Sequence, residues 1–380
     1  MLHALETVRS GMPSSRRAVY LNAGTFGPLP TRAADAQRAR VDDVETRGRL
    51  GSAGYAEFLR IREEARAAFA ESMASDAARI ALTHSTSGGI NLVLGGMAFA
   101  EGDEIVTTDN EHAGLLEPLG ALQRRYGIQV RVAEVLRGGD ALAAVTSLIG
   151  PRTRMVALSH VLWGNGRVLP LREISEAAHA AGVPVLVDGA QGVGAIDVDP
   201  VALGVDAYAG TGQKWLCGPN GVGFLWVAEG FEERFEVAAP SYYSRDFRSE
   251  GAPFWPGARR HDGASLSTGA LAGLTAAVQF RRELVGWSEG ATQMAGVRAR
   301  CIEALAAVPG VTIQADCEGA APLVAFTVEG HTAVEVVEAL EKAAVLARSL
   351  PGLDWVRVSL GYWINDGDLE RLAAALRALA

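Results

Sequence analysis

Between residues 20 and 260 the chain alternates short apolar runs with helical patterns, and this rhythm limits the fold more than any other feature. "RIALTHS" (79–85) reads as a strand, and "SGGINLVLGGMAF" after it as a helix. "DEIVTTD" (103–109) is a strand and "GLLEPLGALQRRYG" a helix. "RMVALSH" (154–160), "LREISEAAHAAG" (171–182) and "PVLVDGA" (184–190) read as strand, helix and strand, and "VGFLWV" (222–227) as one more strand. Such alternation predicts an α/β fold whose mostly parallel sheet is covered by helices on both faces. From about residue 265 the pattern changes. Two longer helical stretches (269–284 and 288–307) precede the strands "VTIQAD" and "PLVAFTVEG". A helix at 332–343, strands around "VLARSL" and "WVRVSLGYW", and a helix at 366–379 complete the chain. The expected organisation is a large domain over 21–264 and a smaller α+β domain built from 1–20 and 265–380.

Bulk properties narrow the function classes. A chain of 380 residues can bury a large core, and 49% apolar with 21% charged residues is ordinary for a globular protein. A net charge of −9 argues against nucleic acid or an anionic membrane as partner. The start, "MLHALETVRSGMPSSRR", does not read as a signal peptide, and no apolar run reaches the roughly 18 residues of a membrane helix. Cys217, Cys301 and Cys317 are scattered and odd in number, which fits a reducing, cytoplasmic setting. No CxxC or HxxxH spacing suggests a metal.

In open parallel sheets ligands sit beyond the carboxyl ends of the strands, so the residues following each strand matter most. After the first comes "HSTSGG", hydroxyls and glycines at a helix start: a phosphate site, or plain N-capping by Ser87. After the second comes "DNEHAG", with Glu111 and His112, where the imidazole is a platform or a surface residue. After the third comes "SHVLWGNG", with His160, Trp163 and Asn165. The fourth ends on Asp188 of "DGAQ", an acid that needs a positive partner if buried, or else caps a turn.

Lysine is almost absent: the chain has Lys214 and Lys342, and its other basic residues are arginines. Lys342 lies four residues after Glu338 and reads as half of a surface helix pair. Lys214 sits in "AYAGTGQKWLCGPNGVGFLWV", among glycines and apolar residues. Lysine, unlike arginine, can lose its proton near neutral pH and act as an amine nucleophile. Phosphate donors, an acid for a cation, a stackable imidazole and an isolated lysine together point to pyridoxal 5′-phosphate. Its aldehyde takes a lysine, its protonated ring nitrogen needs a carboxylate, and its phosphate needs hydroxyls and a helix N-terminus.

These residues and the segments "YLNAGTFGPLP", "NEHAGLLEPL", "SHVLWGNGRVLPL", "VLVDGAQGVG", "GTGQKWLCGPNGVGFLWV" and "RVSLGYWINDGDLERL" resemble the class V aminotransferase and cysteine desulfurase group of fold-type I enzymes. Within it the chain is most similar to the L-cysteine/cystine C–S lyases. The resemblance implies that Lys214 binds the cofactor aldehyde, Asp188 holds the pyridinium nitrogen, Gln191 reaches the ring hydroxyl and His112 stacks on the ring. It gives the phosphate to Thr86, Ser87 and Thr211, with Ser265 reaching the phosphate of a neighbouring subunit in a homodimer with shared sites. It assigns the substrate carboxylate to Arg357 and Arg348, and brings Trp163 and Asn22 to the substrate pocket. The residue before the lysine departs from the family pattern: Gln213 stands where His is usual, which removes one phosphate contact.

Cysteine desulfurases need a thiol nucleophile in the loop before the carboxylate-binding arginine. Here that stretch is "RSLPGLDWVR" and has no cysteine. Cys217 reads as buried packing, Cys301 as a helix residue and Cys317 as part of a surface turn. The expected activity is therefore β-elimination on cysteine, cystine or a related amino acid, giving pyruvate, ammonia and a thiol or persulfide. A class V aminotransferase or an epimerase is the alternative, ahead of a desulfurase or a non-catalytic cofactor-binding protein. No GxGxxG follows the first strand and no GxSxG is present, which disfavours dinucleotide and hydrolase readings.

Overall fold

The computed structural model describes residues 2–49, 51–314 and 320–379. Its centre is a seven-stranded sheet made of β1 (Ile80–Thr83), β2 (Glu104–Thr108), β3 (Gln129–Ala133), β4 (Thr153–Ser159), β5 (Val185–Asp188), β6 (Ala207–Thr211) and β7 (Gly223–Val227). Their spatial order is β1-β7-β6-β5-β4-β2-β3. Only β7 runs against its neighbours, so six carboxyl ends open on one edge. Alternate residues feed two cores. Ile80, Leu82, Val106 and Val156 pack on one face of the sheet, and Ala81, Ile105, Met155 and Ala157 on the other. The expected strands and the doubly covered, mostly parallel sheet are all present. The expectation omitted β6, whose "AYAGT" carries little apolar bulk, and β3, whose residues are only partly buried.

A second, antiparallel sheet contains β8 (Val311–Ile313), β9 (Leu323–Val328), β10 (Arg348–Leu350) and β11 (Trp355–Ser359), in the order β10-β11-β9-β8. Val356 and Val358 of β11 enter the core beneath this sheet. The period of two then turns Trp355, Arg357 and Ser359 to the opposite face, towards the large sheet. Helix Thr268–Leu284 packs against helices Thr31–Arg47 and Gly51–Glu71. It supplies Leu271, Leu274 and Val278 to the core of the large sheet and Phe280 to that of the small one. The segment before Asn22 is tied to the small sheet: Val19 and Tyr20 pair in parallel with Val345 and Leu346, and Ser359 N donates to Leu21 O at 2.7 Å. No helix among the described residues is long and apolar enough to cross a membrane.

One buried ion cluster anchors the chain beside β1. Asp262 accepts from Arg62 Nη2 at 3.0 Å, from Arg66 Nη2 at 2.7 Å and from Leu82 N at 2.9 Å, all of it out of solvent. Burial alone would raise the Asp262 pKa, but Arg66 and Arg62 hold it below the usual carboxylate range. This stabilisation is present above the unfolded carboxyl pKa of about 3.9 and is lost as pH falls through the lower folded value. Asp262→Ala leaves the buried Arg62 guanidinium without a carboxylate and Arg66 with Glu63 alone. It should cost roughly 3–5 kcal/mol, read as a lower denaturant midpoint in urea unfolding.

Candidate active site

The carboxyl ends of β1, β2, β4, β5 and β6 bring the polar residues into one cleft. Asp188 is the last residue of β5 and is buried. Its Oδ1 accepts from Ala190 N at 2.9 Å, and Oδ2 has no protein donor among the described residues. The glycines beside it make room for Tyr208, since a Cβ on Gly189 would lie 1.8 Å from that ring. His160, one strand over, meets the Tyr208 hydroxyl at 3.0 Å and is lowered to a pKa of about 4 by burial. Its imidazole is spent on Tyr208, and its backbone N donates to Asp188 O at 3.0 Å. Asn165 is likewise spent on structure, donating to Leu136 O and accepting from Arg167 N.

Lys214 follows β6 and is half-buried. Burial lowers its pKa to about 8; Asp188 opposes the shift, while Arg357 and Arg348 add to it. Its Nζ has no hydrogen-bond partner among the described residues. The N-terminal segment grips the same loop. Gly27 N donates to Gln213 O at 2.8 Å, and a Cβ on Gly27 would fall 2.2 Å from the Lys214 carbonyl oxygen. Lys342 is exposed in the last turn of its helix and makes no ion pair with Glu338, contrary to expectation; the helix dipole favours its charge there instead.

His112 caps the helix Ala113–Tyr126, with Nδ1 accepting from Gly114 N at 3.0 Å. That bond leaves the proton on Nε2 in the neutral ring and the imidazole held but exposed. Burial, then Lys214, lowers its pKa. Trp163 meets it edge-on, with ring centroids 6.0 Å apart. The Trp163 indole Nε1 is buried without a partner.

At the start of helix Thr86–Gly96 the N-cap is Ser85, whose Oγ accepts from Gly88 N at 3.1 Å. The alternative reading of Ser87 as the cap therefore does not hold, and Ser87 Oγ lies beside Gly114, near His112. Thr86 Oγ1 is buried without a partner among the described residues. An orphaned hydroxyl beside the free amides of a helix N-terminus suits an anion. Thr211 Oγ1 donates towards Gln213 Oε1 and to Val222 O (3.3 Å), so it must turn from Gln213 to reach a phosphate. Ser265, three residues beyond Asp262, is exposed and makes no hydrogen bond among the described residues.

Opposite lies an unusual pair. Arg348 and Arg357 face each other across β10 and β11. Arg357 is buried, and burial, then Arg348, lowers its pKa to about 9. Neither arginine has a carboxylate partner among the described residues. Both donate to Thr25 Oγ1, Arg348 at 3.0 Å and Arg357 at 3.4 Å, while Arg357 also donates to Trp163 O at 2.8 Å. Arg357 Nε, Ser359 Oγ and Asn22 Oδ1 are buried without partners among the described residues. A Cβ on Gly24 would lie 3.0 Å from Arg357 Nη2 and 3.1 Å from Gln191 Oε1. Gln191 donates to Gly24 O and accepts from Trp215 Nε1, each at 2.9 Å, which leaves one amide hydrogen for the cleft. Thr25 escaped the sequence reading; its only signal was the hydroxyl within "YLNAGTFGPLP".

An acid for a ring cation, an exposed ring platform, an orphaned hydroxyl at a helix start and an unpaired lysine fit pyridoxal 5′-phosphate. Residues 20–367 match the family Aminotransferase class-V. The chain belongs to the class V aminotransferases. Enzymes of this family use pyridoxal 5′-phosphate on the fold-type I architecture described above. This class V chain is 31% identical over 407 residues to the isopenicillin N epimerase of Streptomyces clavuligerus, covering 98% of each protein. It is also similar to a lysine-to-alanine mutant of C-DES with glycine covalently linked to the PLP cofactor. The TM-score is 0.93 and the identity 31%, over 97% of this chain and 98% of that one. A complex between the cystine C–S lyase C-DES and its reaction product cysteine persulfide gives a TM-score of 0.91 at 31% identity, over 96% and 99%.

Proposed function

We propose that this class V enzyme cleaves the Cβ–S bond of cysteine, cystine or a related amino acid by β-elimination, with pyridoxal 5′-phosphate as its cofactor. The observation that carries the lyase reading is the absence, among the described residues, of a usable thiol beside Arg348 and Arg357. Arg348 and Arg357 are joined by a tight hairpin with Leu353 N bonded to Leu350 O at 3.3 Å, too short to carry a mobile nucleophile. Cys217 and Cys301 are buried, and burial pushes both thiols up to about 12. Cys317 lies outside the described residues. The likeness to C-DES points the same way.

The cofactor, when bound, supplies an aldehyde for amines and a pyridinium ring that accepts the electron pair of a breaking Cα–H bond. With it bound, Asp188 Oδ2 would hold the proton on the ring nitrogen. His112 would cover the ring, Gln191 would reach its hydroxyl, and Thr86, Ser87 and, after rotation, Thr211 would hold the phosphate beside Gln213. Arg348 and Arg357 take the substrate carboxylate in place of Thr25, with Trp163 and Asn22 bordering the pocket. Lys214, an amine with a pKa of about 8, accepts the α-proton. The Cβ–S bond then breaks with its electron pair on sulfur, and the unsaturated remainder takes up water to give pyruvate and ammonia. A persulfide leaving group from cystine needs little acid help. The exposed hydroxyl of Ser265 is available to the phosphate of a second subunit, in a homodimer with shared sites.

Epimerisation is the second reading, favoured by the 31% identity to isopenicillin N epimerase. It uses the same proton abstraction and returns the proton to the other face. Incubation with L-cystine separates the two: the lyase gives stoichiometric pyruvate and persulfide. Recovery of D-cystine without pyruvate would reverse the assignment. A folded chain lacking Cys217, Cys301 and Cys317 should keep sulfur release, aside from core losses of about 1 kcal/mol or more. Loss of all sulfur release in that chain would restore a persulfide relay.

A further inference from the structure

Glu111 is buried and has no part in the chemistry described above. Its Oε1 accepts from Thr108 Oγ1 at 2.6 Å and from Ser159 N at 3.0 Å, and its Oε2 from Ser159 Oγ at 2.5 Å. One carboxylate therefore joins the carboxyl end of β2 to that of β4. Its neighbours in sequence and in the sheet are the ring-binding residues. His112 is the next residue, and Ser159 is the register partner of Asp188 across β4 and β5. The adjacent Asn110 repeats the stitch, its Oδ1 accepting from Gly164 N at 2.9 Å, one residue past Trp163.

We propose that Glu111 is a positioning residue that fixes the His112 platform relative to the Asp188 strand end, and so sets how tightly and at what angle the cofactor ring is held. The inference rests on the cofactor reading above. Without the clamp, the loop carrying His112 keeps its Asn110 bond to Gly164 N and its ring contact with Trp163, both in the segment after β4, but loses its tie to the β4 end itself, and Ser159 N and Thr108 Oγ1 lose a buried acceptor. A buried donor left unpaired costs free energy, which the loop recovers by shifting. Two of the three bonds to this carboxyl group are short, and burial, with the charge of Asp188 nearby, still raises the Glu111 pKa to about 7. The protein thus keeps a group whose charge is costly in a place where its geometry is useful.

The test uses holoenzyme variants Glu111→Ala and Glu111→Gln. Glutamine can preserve the clamp: its Oε1 keeps both acceptances, and its Nε2 can donate to Ser159 Oγ. A positioning role therefore predicts that Glu111→Ala weakens cofactor retention at least about tenfold, diminishes the visible circular dichroism of the bound cofactor and lowers kcat with little change in KM. It predicts that Glu111→Gln restores retention and dichroism. A folded Glu111→Ala with wild-type dichroism and retention overturns the proposal, and so does a Glu111→Gln that behaves like the alanine variant, since charge rather than geometry would then be what matters. If Glu111→Ala does not fold, Ser159→Ala and Thr108→Val each delete one bond of the clamp. A dichroism change in the same direction in both supports it, and wild-type spectra in both overturn it. Wild-type protein that takes up no cofactor would sink the cofactor reading itself, an outcome visible before any variant is made.

Discussion

Lys214→Ala is expected to abolish covalent retention of the cofactor and to lower turnover by roughly 10²–10⁴-fold or more, while Lys342→Ala matches wild type. The contrast follows from their settings: Lys214 lies in the cleft with its pKa lowered to about 8, and Lys342 is exposed at a helix end. Borohydride reduction of the holoenzyme and peptide mapping should mark Lys214; a mark on Lys342, or none, overturns the assignment. The depressed pKa also has a sign. The folded chain releases this proton near pH 8, the unfolded chain near about 10.4, so between those values the unfolded state binds more protons. Cofactor-free protein should therefore gain stability from Lys214 as pH rises through that window, the cost of burying the ammonium being fully present below it. Uptake of the aldehyde should quicken towards a plateau above about pH 8, because the neutral amine is the nucleophile. A rate independent of pH across this range would show that Lys214 is already neutral or takes no part.

Arg357→Met should reduce kcat/KM about 10–100-fold, the worth of one charge-assisted bond to a carboxylate at roughly 1.5–3 kcal/mol. The same variant should melt no lower than wild type, and higher if packing is preserved. Arg357 is a buried cation with no acid beside it among the described residues, and it faces Arg348 across the strands. Like charges directly opposite in a sheet are destabilising, and a buried charge without a partner is costly. Such a pair persists in a fold when a ligand completes it. Thr25 is the neutral acceptor that holds both guanidinium groups together meanwhile. A thermal melt together with steady-state kinetics reads both halves. Unchanged kcat/KM would remove Arg357 from the substrate site, and a large fall in melting temperature would make it structural.

Much of the site was legible because its chemistry is concentrated at strand ends. Asp188 closes the run "PVLV", and Lys214 is one of two lysines, so both stand out against an arginine-rich background. Family motifs extended the reading to His112, Gln191 and Arg357. Less visible were elements whose burial is unequal or whose side chains are small, such as β3 and β6. Which hydroxyl caps this helix was open, because "HSTS" offers several and only backbone dihedrals decide that Ser85 precedes the first turn. The roles of Thr25 and Glu111 were hidden for a different reason. Each works through residues far away in the chain: Thr25 meets Arg348 and Arg357, and Glu111 meets Ser159.

The sequence by itself determined the strand–helix rhythm and the doubly covered sheet, and it picked out the candidate groups for chemistry, since these follow from local hydrophobic period and residue type. Only the tertiary structure decided which groups remain unsatisfied. Among the described residues Lys214 Nζ has no hydrogen-bond partner, Arg357 Nε and Trp163 Nε1 are orphaned, and Cys217 is buried with its thiol pushed up to about 12. Burial and pairing depend on what the rest of the chain brings to the same point in space, and the same side chain is an inert packing group or a reactive one according to that environment.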